Sequence, residues 1–129
     1  MRETAMHRMR RVLVAMKMAE MAQLGANRTA ATAARAKARE LRAQSRAQVA
    51  DDVPGAMAAL GSWQRHAEAL ARDADATAAR LDLEAEPMMI ELARTLGRET
   101  VVTGLIGKAE IEGRRIAARR AEGAPPRGR

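Results

Sequence analysis

Stepping by seven from Leu60 meets Ala67, Ala74, Leu81, Met88, Thr95, Val102, Ala109 and Ile116, and none of these is charged in a chain where 30% of residues are. A period of seven sustained this long predicts a helix that keeps one seam against a partner helix. Trp63, Leu70 and Thr77 supply the alternating second line of that seam. After Glu84 this line moves to Ala85, Leu92 and Ile106, a drift that predicts a straighter stretch. In the first half, Met6, Met9, Leu13 and Met16 follow a 3-4-3 spacing. The pattern then skips eight to Leu24, which reads as a stutter, and resumes with Ala31, Ala34, Ala38 and Leu41.

The clearest interruption is Asp51-Asp52-Val53-Pro54-Gly55. Pro54 disfavours helix at Val53 and has no N–H to donate, and Gly55 permits backbone angles closed to other residues. Gly61-Ser62 reads as a second break, with Ser62 as a helix N-cap. The expected organisation is therefore a helix over 3–50, a turn over 51–62, a helix over 63–122 and a disordered basic tail over 123–129. Pro87 is expected to kink the second helix or split it after Glu86. The fold class is all-α, a long antiparallel two-helix coiled-coil hairpin. The same seams could instead close between two chains, so monomer and seam-sharing dimer both satisfy the pattern.

Charge sharpens this picture. Residues 1–50 carry +8, residues 51–100 carry −5 and residues 101–129 carry +4, for a net charge of +7. Folding about the break pairs residues whose numbers sum to roughly 105–112, which sets the basic stretch Arg28 to Arg46 beside the acidic stretch Glu68 to Glu84. Both chain ends then meet at one pole. Arg8, Arg10 and Arg11 gather there with Lys108, Arg114, Arg115, Arg119 and Arg120, without internal countercharge.

Composition argues for thin helix-on-helix packing, since the chain has no Phe, no Tyr and one Trp. With no cysteine, disulfides and thiolate metal sites are excluded. The apolar run Val12 to Met16 is too short for a signal peptide, and no segment reaches the ~20 residues that span a bilayer. The expected location is cytoplasmic. His7 and His66 are far apart in sequence, and Asp73, Asp75 and Asp82 lack metal-loop spacing. Gly104-Leu-Ile-Gly107-Lys108 is too short for a phosphate loop and is followed by Ala109. No catalytic, cofactor or metal residues are indicated, and a two-helix hairpin offers no water-excluding pocket. The chain is read as a binding protein rather than an enzyme. Met6, Met9, Met16, Met18 and Met21 read as seam plus ordinary surface, or as an adaptable face for a partner helix. An acidic protein surface is the better partner for the basic pole. Nucleic acid is the alternative on charge alone, although Trp63, the sole aromatic, gives no stacking platform. A granule- or membrane-surface coating helix is a third reading, from the Ala-rich, Met-bearing helices.

The basic start with its apolar seam (Met6-His-Arg-Met-Arg-Arg-Val-Leu), the Ala/Arg/Glu-rich first helix, the central break, the second helix opening near Trp63-Gln64-Arg65-His66 and the terminus Arg114-Arg115-Ile116-Ala-Ala-Arg119-Arg120 together resemble the FliJ family and the related YscO proteins. These are the small coiled-coil stalks of flagellar and type III secretion export. The resemblance implies a non-enzymatic export component, similar to the central stalk of rotary ATPases. It implies binding to the hexameric export ATPase and contacts with the membrane export gate and escort chaperones, which adds a peripheral location at the inner membrane. Position and charge single out Arg8, Arg10, Arg11, Arg115 and Arg119 as the expected partner-binding residues.

Overall fold

A computed structural model describes residues 4–123, which form two helices, α1 (Ala5–Ala47) and α2 (Ala56–Gly123). The fold is an all-α helical hairpin. Thr4 caps α1: its hydroxyl accepts the N–H of His7 at 3.2 Å and also bonds the His7 ring, while its carbonyl accepts the N–H of Arg8 at 3.1 Å. α1 ends at Ala47, before the expected residue 50. Gly55 takes φ +83°, the reversal that proline and glycine signal. The N–H of Ala56 then bonds the carbonyl of Val53, and that of Ala59 bonds Gly55, both at 3.0 Å, which starts α2 at Ala56 instead of Trp63. Gly61 and Ser62 lie inside the helix and break nothing.

Pro87 does not split α2. Proline removes the bond to the carbonyl four residues back, here that of Leu83. Pro87 and Leu83 are both exposed, so water can satisfy the freed carbonyl. Gly123 ends α2, so the expected tail at 123–129 begins with a helical residue and otherwise falls outside the described residues.

The chain divides into two compact units, Met21–Ile90 and Met1–Glu20 with Glu91–Arg129. Within Met21–Ile90 the buried side chains are small. Ala31 and Ala38 of α1 meet a face of α2 that buries Ala67, Ala71, Ala78 and Ala85, with Leu24 and Asn27 also buried. The column from Leu60 holds here through Ala67, Ala74, Leu81 and Met88, all buried or half-buried. The second line does not follow Trp63, Leu70 and Thr77, which are exposed; it runs through Ala71, Ala78 and Ala85. Alanine at the contact lets two helices approach closely, and leucine in the same place would hold them apart. The bulkier side chains therefore flank the seam.

Ion pairs follow the pairing of this unit. The Arg42 guanidinium donates through Nε and Nη2 to both oxygens of Glu68, each at 3.2 Å, and through Nη1 to Asp75 at 2.7 Å. Arg35 pairs with Asp82, and Arg28 donates to the Met89 sulfur at 3.2 Å. The basic and acidic stretches do lie side by side. The residue numbers of Arg42–Glu68 sum to 110, within the expected range, whereas those of Arg28–Met89, Arg35–Asp82 and Arg42–Asp75 sum to 117, above it. The connection explains the offset. Residues 48–55 run along the first turns of α2 and line a shallow depression with Ala59, Leu60 and Trp63, so α2 starts well past the end of α1. Trp63 stands in that depression, its ring tilted against His66 at 6.4 Å, and is not a seam residue.

The hydrogen bonds from Arg42 hold the Glu68 carboxyl below its ordinary range, against a smaller opposing effect of desolvation. A depressed carboxylate stabilises the fold above the unfolded-state value, about 4.3, and that contribution is lost as pH falls through the lower folded-state value. The melting temperature is thus expected to decline modestly between about pH 5 and pH 3. In Arg42→Gln the decline should shrink. An identical slope in both proteins would show that this pair contributes nothing.

In the other unit, Leu13, Val102 and Ile106 form an apolar cluster with Met6 packed against it. Beside it lies a polar layer. Lys17 pairs with Glu99 at 2.9 Å, with both side chains about four-fifths buried. The Thr95 hydroxyl, 1% exposed, lies 2.9 Å from Glu20 Oε1 and 3.1 Å from the carbonyl of Glu91, to either of which it can donate. Met9 and Met16, expected in the seam, are 55% and 39% exposed. No stutter exists in α1. Its buried and half-buried positions include two unbroken seven-residue lines, Met6-Leu13-Glu20-Asn27-Ala34-Leu41 and Lys17-Leu24-Ala31-Ala38-Ser45, with His7, Val14, Arg35 and Arg42 half-buried beside them. The skip of eight arose because Lys17, Glu20 and Asn27 occupy seam positions that apolar residues were expected to fill.

Candidate protein-binding surface

The column from Leu60 stays covered through Thr95 and Val102, but Ala109 and Ile116 are exposed. The reason is length. Met6 is the second residue of α1 and packs on the cluster containing Ile106. α2 continues to Gly123, and every residue from Lys108 to Gly123 is exposed. Arg115 and Arg119 are nine and thirteen residues past Ile106, roughly 13 and 20 Å farther along the helix axis.

This separation divides the expected basic pole into two groups. Arg8, Arg10 and Arg11 lie between Met6 and Leu13 on α1, at the level of the apolar cluster. Arg8 and Arg11 each engage another group, so that part of the pole is not without internal partners. Arg115 and Arg119 stand one turn apart on the bare end of α2. Lys108, Arg114, Arg115, Arg119 and Arg120 make no ion pair among the described residues. Ile116, 40% exposed, sits between Arg115 and the next-turn Arg119 and Arg120, and Ile111 is 45% exposed.

An apolar anchor ringed by guanidinium groups suits a carboxylate-bearing protein surface. Arginine donates in a fork that matches a carboxylate, and its weakly hydrated head tolerates burial at an interface. A lone helix of this length, carrying Gly113, is marginal in water, so a partner that covers it also stabilises it. The residues sequence reading missed are the polar ones within the hairpin, Lys17, Glu20 and Glu99, which gather around Thr95 of the expected column. Their signal was present: Glu20 follows Met6 and Leu13 at intervals of seven.

No helix among the described residues is long and apolar enough to cross a membrane. No protein-family model, no curated protein and no solved structure matches the chain.

Proposed function

We propose that this chain is a non-enzymatic coiled-coil component of a bacterial flagellar or type III protein export apparatus, binding the export ATPase as a central stalk. The observation that supports this reading is the end of α2, which outruns α1 and exposes Ile116 among arginines that make no ion pair among the described residues. A helical pair that ends in one projecting basic helix suits insertion into an acidic ring pore. The export gate and chaperones are the further partners of this reading, and its location is the cytoplasmic side of the inner membrane.

The test is affinity capture of the tagged full chain from its host, with nuclease present, beside the variant Arg115→Glu/Arg119→Glu. The intact chain should recover the export ATPase. Reversal of two interface charges should lower that recovery at least about tenfold with helicity unchanged. Equal recovery by the variant would remove the α2 end from the interface. Partners that vanish on nuclease treatment would transfer the chain to the nucleic-acid reading, with the same arginines acting on phosphates.

A further inference from the structure

The unit Met1–Glu20 with Glu91–Arg129 carries a groove that neither the seam nor the projecting end of α2 uses. Met9 and Leu13 of α1 form one wall, and Gly97, Arg98, Val101 and Val102 of α2 form the other, with Arg94 at the rim. Met9 is 55% and Val101 61% exposed. Met16 and Leu105 extend the apolar walls by about a turn on their helices, and both are exposed. Gly97 leaves the floor open, since a Cβ built there meets nothing within 4 Å. Among the described residues, the charged side chains lining the groove are Arg94 and Arg98. Arg94 is held by Glu91 at 2.5 Å, whereas Arg98 makes no ion pair among the described residues.

We infer that this groove seats an amphipathic α-helix of another protein, one whose apolar stripe is flanked by acidic residues. The furrow between two packed helices is where a third helix lies in a bundle, placing side chains at a spacing of three and four into the gaps. Gly97 leaves room for one such side chain, and Met9 adapts its shape around it. Arg98 then meets an acidic residue on the flank of the incoming helix. A second copy of this chain fits poorly. The described residues of this unit carry eleven basic and six acidic side chains, so self-association would bring two positive surfaces together. The inference stands apart from the export-stalk reading, because it uses other residues and another face.

The test uses the full chain labelled with ¹³C at the methionine methyl groups and a synthetic helical peptide of roughly 21 residues, about six turns. The peptide has leucine at heptad positions a and d, flanked by glutamate. Controls are its lysine-flanked counterpart and a scrambled sequence. The glutamate peptide should bind and move the Met9 methyl signal while leaving Met57 still. Arg98→Glu should weaken binding about tenfold or more. Gly97→Leu, whose Cβ meets nothing within 4 Å and whose longer side chain fills the floor, should abolish binding with helicity retained. Arg115→Glu/Arg119→Glu should bind as the parent does; loss of binding there would place the peptide on the α2 end and overturn the inference. Absence of binding at millimolar peptide would also overturn it, as would equal binding by either control or a shift at Met57. A concentration-dependent mass of the chain alone, removed by Gly97→Leu, would replace it with self-association.

Discussion

Ala71→Asp is expected to unfold the unit Met21–Ile90, while Leu70→Asp beside it leaves that unit folded. Ala71 is fully buried, and Leu70 is 38% exposed. An aspartate at 71 takes a charge into an alanine-lined contact, where the nearby Arg42 guanidinium is already engaged by Glu68 and Asp75, and its extra atoms force the helices apart. Overpacking alone costs about 1–3 kcal/mol, and an unpaired buried charge adds more. A total of about 3 kcal/mol or more lowers the melting temperature of a unit this size by roughly 12–24 °C. At 70 the carboxylate remains in water and the lost contact is partial, so the change should be about 1 kcal/mol or less. Circular dichroism melts of both variants check this directly. Comparable losses at the two positions would mean that leucine rather than alanine lines the seam.

That contrast marks how far the sequence could be read. The hairpin, the reversal at Pro54-Gly55 and the seven-residue column from Leu60 to Val102 are legible because periodic burial and backbone-restricted residues leave local signatures. Trp63, Leu70 and Thr77 each fall one residue off the second line of α2, whereas Ala85, Leu92 and Ile106 lie on it as expected. Leucine normally outranks alanine as a seam residue, yet close approach of these helices selects the smaller one. The apparent stutter in α1 had the opposite origin, polar residues held inside the seam. Both errors come from tertiary contact overriding a local preference, and no spacing rule in one helix can report its distance to another. The candidate surface was legible in part. Charge pointed to the arginines, but the projection of α2 beyond α1 depends on where the connection lies, and residues 48–55 run along α2 without any sequence signal for it.

The polar seam residues carry the second large expected effect, of opposite sign. Glu20 and Asn27 occupy successive positions of one α1 line, and each has a buried side-chain oxygen with no hydrogen-bond partner, Glu20 Oε2 and Asn27 Oδ1. Burial without a partner costs about 1–3 kcal/mol per group. Glu20→Leu/Asn27→Leu removes both oxygens and continues the apolar line from Leu13 to Ala34. Thr95 is not stranded, because its hydroxyl can still donate to the carbonyl of Glu91. The double variant is therefore expected to gain about 2–4 kcal/mol, raising the melting temperature by on the order of 10 °C. Stability is then not what these residues supply. A polar side chain in an apolar seam penalises every register but the one that accommodates it, and it discourages pairing with a second chain. The more stable variant should accordingly lose its single state and show a mass that rises with concentration in analytical ultracentrifugation. A lowered melting temperature would show that both oxygens are satisfied, for example by water. A raised melting temperature with an unchanged monomer mass would assign the register to Arg35, Arg42 and their carboxylate partners, which then specify the hairpin on their own.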